Sequence, residues 1–309
     1  MRKIAFLFPG QGSQYPGMGQ EFYETYPETK KIFSEAKKVL GFDLKKLCFR
    51  GRDQDLKKTI NTQPAILTIN WIATRILREN QIKPALAAGH SLGEYSALLA
   101  AGVLDYPTTL RLVRRRAELM EEAAKTGDGA MAAVIGLSRV PVLLVCQNME
   151  GVEAVNFNSP SQIVISGKKE IVKKASYRLK EKGAKRVVPL SVSGAFHTPL
   201  MRKAALKFSK ELDKLHFSHP TCPIITNVSA EYAATTKEIK EALKAQMDHP
   251  VLWEDSMRKL ISSGIELFIE VGPGKVLEGL LRRIDRKARV LGAGTPEDIE
   301  KIKEVLAEF

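Results

Sequence analysis

The chain is predicted to be an α/β protein, a doubly wound parallel sheet interrupted by a small βαββαβ insertion. Three observations carry this prediction. Short apolar runs such as 4–8 and 84–88 alternate with longer stretches of helical period in the first third, as in a parallel sheet covered by helices. The segment Gly89-His90-Ser91-Leu92-Gly93 reads G-x-S-x-G, a strand–turn–helix elbow. After Gly127-Asp128-Gly129 the order changes to β-α-β-β-α-β, the split βαβ unit.

Taken in order, 4–8 is an apolar strand and 21–40 is helical. Residues 63–80 form a helix with Pro64 as its first residue, where a missing N–H costs nothing. A strand at 84–88 leads into the elbow, and 92–101 leads out as an amphipathic run. The helix at 108–125 places Leu110, Val113, Ala117 and Met120 on one face. Residues 130–136 form a strand, 140–148 a helix begun by Pro141, and 153–157 and 162–166 two strands. A helix at 170–182, stopped by Gly183, and a strand at 186–192 complete the insertion. The last third returns to helices around two strands, 221–227 and 267–271. The expected large lobe is therefore 1–127 with 195–309, and the small lobe is 128–194. No proline- or serine-rich linker separates them, so a rigid cleft is expected between the lobes.

Composition excludes several classes. No apolar run approaches the roughly 20 residues of a membrane helix, so no membrane partner is expected. Arg2-Lys3 and the run after it imitate a signal peptide, but the run is too short and ends in Pro9-Gly10. Cys48, Cys146 and Cys222 form neither a metal spacing nor a disulfide framework, which points to the cytoplasm. The net charge of +13 favours anionic partners. The lysines are spread along helical stretches without interleaved aromatics, so no nucleic-acid binding is expected.

The elbow is the strongest chemical signal. The glycines at 89 and 93 let strand and helix approach, and Ser91 stands at the helix start as a candidate nucleophile. The N–H of Leu92 would face a developing oxyanion. A serine hydroxyl needs a base. Of the five histidines, His197 stands out in a loop punctuated by glycine and proline, Ser193-Gly194-Ala195-Phe196-His197-Thr198-Pro199. His90 adjoins Ser91 and is read first as packing under the elbow. His216 and His219 are read as surface residues, and no metal site is expected. The glycine-rich loop Pro9-Gly10-Gln11-Gly12 follows the first strand, where open α/β sheets place ligands. Gln11 there offers a donor to an oxyanion. Arg114, Arg115 and Arg116 point in different directions on one helix, so at most one or two of them can reach a cleft, where an inward arginine would bind a carboxylate, and at least two are read as a solvated basic face. Gly272-Pro273-Gly274-Lys275 lacks the spacing of a phosphate loop and reads as a strand-to-helix turn.

Together these segments resemble the malonyl-CoA:acyl-carrier-protein transacylase family. The matching pieces are FPGQGSQYPGMG at 8–19, TQPAILTIN at 62–70, GHSLGEYSALLAAG at 89–102 and VRRRAELM at 113–120. They continue with GAMAAVIGL at 129–137, VNFNSPSQIVISG at 155–167, SGAFHTPLM at 193–201, NV at 227–228 and EVGPGKVL at 270–277. They keep the family's order over essentially the whole chain. The resemblance implies an α/β-hydrolase-like core with an inserted ferredoxin-like subdomain. It implies that Ser91 carries the acyl group, that His197 is its base and that Gln246 orients the histidine. Arg116 then pairs with the substrate's free carboxylate, and Gln11 with the N–H of Leu92 forms the oxyanion hole. Asn158 matches a polar position near the cleft, and His90 belongs with it among the substrate-binding positions. Phe196 resembles malonyl-selective members, in which an aromatic crowds an α-methyl branch. Ala117 departs from the family, where glycine is common, and stiffens the helix slightly. The implied partners are malonyl-CoA and acyl carrier protein, with no cofactor and a monomeric enzyme.

Three other readings stand beside this one. A serine hydrolase or thioesterase would use the same elbow but pass the acyl group to water. A non-catalytic docking module would have no need of Ser91, His197, Gln246 and Gln11 together. An acyltransferase of polyketide synthesis would use the same chemistry. The start at Met1 and the end shortly after the last family segment lead us to expect a free-standing enzyme.

Overall fold

Five successive buried residues, Ile4–Phe8, form the central strand β1. A strand apolar on both faces must be covered on both faces, as in a parallel sheet. In the computed structural model, which describes residues 3–126, 128–192 and 194–307, this is what forms around it. Helices α1 (Gln20–Thr25), α2 (Thr29–Leu40), α3 (Leu44–Arg50), α4 (Asp53–Leu56) and α5 (Thr59–Glu79) follow β1. Strand β2 (Leu86–Gly89), helix α6 (Gly93–Ala100) and helix α7 (Tyr106–Thr126) come next. The small lobe runs β3 (Gly129–Ile135), α8 (Arg139–Gln147), β4 (Val152–Ser159), β5 (Gln162–Lys168), α9 (Lys169–Glu181) and β6 (Arg186–Pro189). After a short turn of 3-10 helix at Pro199–Met201, the chain forms α10 (Arg202–Asp213), β7 (Ile224–Ile225), β8 (Tyr232–Ala233) and α11 (Thr236–Gln246). It ends with α12 (Trp253–Ser262), β9 (Leu267–Val271), α13 (Val276–Ile284), β10 (Val290–Ala293) and α14 (Pro296–Ala307).

The larger sheet has the order β10-β9-β1-β2-β7-β8 and is parallel except at its β7–β8 edge. Ile4, Phe6 and Phe8 face one core, and Ala5 and Leu7 face the other. The smaller sheet has the order β4-β5-β3-β6 and is antiparallel throughout. Alternation splits β3 in the same way. Ala132 and Val134 pack under α8 and α9, while Met131 and Ala133 join the large core. A main-chain strap is among the links between the lobes. The N–H of Val251 donates to the carbonyl of Val155 at 2.7 Å, and the N–H of Phe157 donates back to Val251 at 3.0 Å.

Six expectations need correction. The helical stretch 21–40 breaks at Tyr26-Pro27-Glu28 into two helices. Pro64 lies inside α5, which begins at Thr59. The helix survives because the carbonyl that Pro64 leaves unpaired, that of Ile60, accepts from Arg114 Nη1 at 3.0 Å. The run after the elbow is not amphipathic, since all eight residues of α6 are buried. Among the described residues, the last third holds four strands rather than two. Those overlooked are β8, only two residues long, and β10, at the sheet's edge. The expected 221–227 strand shrinks to two residues and the 186–192 strand to four. Gly127 and Ser193, which mark the expected lobe boundary and the start of the histidine loop, lie outside the described residues.

Candidate active site

Strand β2 delivers the chain to Gly89, and α6 carries it away from Gly93. Between them Ser91 takes a left-handed φ of 51°, a strained conformation for a residue with a Cβ. Strand and helix meet backbone to backbone. A Cβ at Gly89 would lie 1.9 Å from the Gly93 carbonyl carbon, and one at Gly93 would lie 2.0 Å from the Phe8 carbonyl oxygen. Only glycine fits at either position.

Two side chains brace the strained residue. Asn227 bridges the elbow, its Oδ1 accepting from the Ser91 N–H at 2.6 Å and its Nδ2 donating to the Gly89 carbonyl at 2.6 Å. Gln246 Nε2 donates to the Ser91 carbonyl at 2.8 Å. Both main-chain polar groups of Ser91 are thus tied, and its hydroxyl remains for chemistry.

That hydroxyl lies 2.9 Å from His197 Nε2. His197 Nδ1 faces two carbonyl oxygens, Gln246 at 2.9 Å and His249 at 3.1 Å. Carbonyls only accept, so the network assigns the resting proton to Nδ1 and leaves the Nε2 lone pair facing the serine. Burial first, and the charge of Arg116 second, hold the imidazole down to a pKa of about 3. The histidine is therefore neutral and ready to accept a proton. His197 also has a left-handed φ of 62°, and its N–H donates to the Met247 carbonyl at 3.2 Å. Gln246 touches the imidazole through its main chain, while its side chain goes elsewhere.

Arg116 is fully buried. Its Nη1 donates to Gln63 Oε1 at 2.8 Å, and its Nη2 to Gln246 Oε1 at 2.9 Å and to Ser91 Oγ at 3.2 Å. The guanidinium also lies over the Tyr95 ring, 5.4 Å from its centre. Its two neighbours on α7 turn away. Arg114 pairs with Glu118 at 3.0 Å and Arg115 with Glu118 at 3.4 Å.

A pocket of about 90 Å³ opens onto these groups, lined by Gln11, His90, Ser91, Leu92, Arg116, Phe196 and His197 among others. Gln11 enters it with its carboxamide donating to Thr59 Oγ1 at 3.3 Å. His90 Nε2 pairs with Asn158 Oδ1 at 2.8 Å, and the His90 ring leans on Trp253, 5.4 Å between centres. Asn158 sits behind His90, and it is Asn156 of the same strand that faces the pocket. The Phe196 carbonyl accepts from Ser166 Oγ at 2.9 Å. His216 and His219 are exposed and are not among the residues that line this pocket. A larger groove of about 590 Å³ between α8 and α9 is lined by Leu144, Arg178 and Lys182 and holds no nucleophile beside a base.

Sequence reasoning missed three residues here. Gln63 holds Arg116, and although it lies in the segment TQPAILTIN at 62–70 it was given no role there. Asn227 braces the elbow from 136 positions away in the chain. Glu94 accepts from Gln246 Nε2 at 2.6 Å and from the Asn227 N–H at 3.4 Å. Burial pushes its carboxyl up to a pKa of about 7. Glu94 did carry a signal, as the one charged residue in the otherwise uncharged segment GEYSALLA.

Comparison with known proteins matches residues 5–298 to the acyl transferase domain family. A malonyl CoA-acyl carrier protein transacylase of Bacillus subtilis is 46% identical over 100% of this chain and 98% of its own length. A protein of the same name from Escherichia coli is 46% identical over 92% of this chain and 93% of its own. Among solved structures, a malonyl-CoA:acyl carrier protein transacylase of Xanthomonas oryzae superposes with a TM-score of 0.95 at 41% identity, covering 99% of this chain and 98% of that one. A malonyl-transacylase in complex with a type II polyketide acyl-carrier protein gives 0.95 at 39% identity, over 98% of this chain and 99% of that one.

Proposed function

The chain belongs to the acyl transferase domain family, and on that premise we propose that it moves a malonyl group from malonyl-CoA to the phosphopantetheine thiol of acyl carrier protein. One observation carries the site assignment. Ser91 Oγ lies 2.9 Å from a neutral imidazole nitrogen and 3.2 Å from a buried guanidinium. A nucleophile, its base and a carboxylate receptor thus converge on one atom.

The reaction follows in two halves. His197 Nε2 takes the Ser91 proton as Oγ attacks the thioester carbonyl. The N–H of Leu92 and the Gln11 loop supply donors to the oxyanion, each worth about 3 kcal/mol in such sites. The tetrahedral intermediate expels the CoA sulfur, which His197 protonates, leaving malonyl-Ser91. The carrier thiol then gives its proton to His197, attacks the ester and restores the serine. Serine and histidine supply all the proton transfers, so no cofactor is required beyond the substrates.

Arg116 makes the reaction selective. It pairs with the malonyl carboxylate in the fork geometry that guanidinium favours. With acetyl in the site, a buried charge is left without its anion, which is costly. The bound carboxylate also offsets the Arg116 charge that depresses His197, so malonyl strengthens the base that attacks with it. Phe196 leaves little room for an α-methyl branch.

The large lobe is read as an α/β-hydrolase-like core, supported by its parallel sheet and elbow. The small lobe, 128–194, is read as ferredoxin-like, supported by its βαββαβ order and antiparallel sheet. Asn158 is read as a positioning partner of His90 at the substrate. No described helix is long and apolar enough to cross a membrane. We read the enzyme as a cytoplasmic monomer, and its net charge of +13 suits an acidic carrier protein and the phosphates of CoA.

The test is the intact mass of the protein after brief exposure to malonyl-CoA, followed by a chase with holo carrier protein. One malonyl mass on the wild type, none on Ser91→Ala, and loss of the adduct to carrier is the expected result. Free malonate with no transfer would make it a hydrolase.

A further inference from the structure

Arg116 presents a problem that the catalytic residues do not solve. A fully buried guanidinium needs acceptors and a counter-charge. Its hydrogen-bond acceptors are neutral: Gln63 Oε1, Gln246 Oε1 and Ser91 Oγ. A carboxylate stands one side chain further away. Glu94 Oε2 accepts from Gln246 Nε2 at 2.6 Å, and Gln246 Oε1 accepts from Arg116 Nη2 at 2.9 Å.

The carboxamide between them is polarised by this arrangement. Glu94 faces it with an acceptor, so the amide nitrogen must point to Glu94 and the amide oxygen to Arg116. The other Glu94 oxygen accepts from the N–H of Asn227, whose side chain bridges Gly89 and Ser91. One carboxylate therefore holds both braces of the elbow. It uses two acceptor atoms on two donors, and a carboxamide in its place has one acceptor and must break one tie.

We propose that Glu94 is a positioning residue that orients Gln246, and through it Arg116, to receive the carboxylate of a malonyl thioester. This rests on the functional reading above. Glu94 acts on the acyl group through Arg116 and does not touch the reacting atoms.

The experiment compares acylation of Ser91 by malonyl-CoA and by acetyl-CoA on one enzyme sample, read by rapid quench and intact mass. The ratio of the two rates is independent of the folded fraction. In Glu94→Gln the malonyl-to-acetyl ratio should fall at least tenfold, with most of the loss on the malonyl side. Glu94→Asp keeps two carboxyl oxygens for the two ties and should recover part of the ratio. If both rates fall together and the ratio stays within twofold of wild type, Glu94 merely supports the fold and the proposal is overturned. If Glu94→Gln yields no folded protein, Glu94→Asp decides alone, an unchanged ratio overturning the proposal and a lowered one supporting it. Failure of the functional reading looks different, because wild-type protein would then show no preference for malonyl.

Discussion

Glu94 and Glu270 are the same chemical group in the same degree of burial, yet they serve opposite ends. Glu94 is 2% exposed and Glu270 is 0% exposed. Burial pushes each carboxyl up to a pKa of about 7. Glu270, near the end of β9, gives its oxygens to main chain. Its Oε1 accepts from the Leu277 N–H at 3.0 Å and its Oε2 from the Glu278 N–H at 2.7 Å. These are the donors that the start of α13 leaves unpaired, so Glu270 anchors a helix to the sheet. Glu94 gives one oxygen to a side chain that reaches Arg116 and Ser91. Burial and a shifted pKa do not by themselves distinguish a structural carboxylate from a site carboxylate. The partners do.

The largest expected effect lies on the site side of this comparison. Arg116→Ala should lower acylation by malonyl-CoA by about a hundredfold to a thousandfold, the usual consequence of truncating a buried charge partner. Acetyl-CoA should be affected far less, so the ratio of the two rates is the measurement. Equal losses with both substrates would put Arg116 in the scaffold, beside Glu270.

The next effect lies on the scaffold side and depends on pH. Glu270 keeps its proton in the folded protein up to a pKa of about 7, from an ordinary value of 4.5. Between those values the unfolded chain has released a proton that the folded one retains. Wild-type stability should therefore fall as pH rises through this window. Glu270→Gln cannot titrate there, so the advantage of wild type over the variant should shrink by up to roughly 3 kcal/mol between pH 5 and 8. Chemical denaturation at several pH values measures it, and the malonyl-to-acetyl ratio should not move. Parallel stability curves would mean that Glu270 titrates like an exposed carboxylate.

The smallest effect sharpens the same contrast between two arginines on one helix. Arg114 is two residues from Arg116, but it donates to the Ile60 carbonyl released by Pro64. It is partly exposed, so Arg114→Ala should cost about 1 kcal/mol of stability. Its acyl selectivity should match wild type. A changed ratio would show that the position of α7 against α5 matters to the site as much as Arg116 itself.

The elbow was legible in the sequence because its constraint is local. Gly89, Ser91 and Gly93 fall within one turn, and steric exclusion of any Cβ acts over that distance. His197 was legible from its glycine- and proline-punctuated loop and, more strongly, from the resemblance. The length of α5 was misread because Pro64 looks like a start signal, and the arginine that satisfies its lost partner comes from another helix. The run after the elbow was misread as amphipathic because Glu94 and Ser96 are polar, although both are buried against polar partners.

The sequence by itself determined the alternation of buried strands and helices, the inserted βαββαβ unit and the place of the elbow serine. These rest on period, chirality and the size of glycine, which operate between near neighbours. Only the tertiary structure decided that the Gln246 carbonyl, rather than its side chain, holds His197, and that Asn227 and Glu94 brace the serine. Each of these is a hydrogen bond between groups more than twenty positions apart, or is passed on through one. Such a bond is strong only where folding has removed the water that would otherwise compete for it.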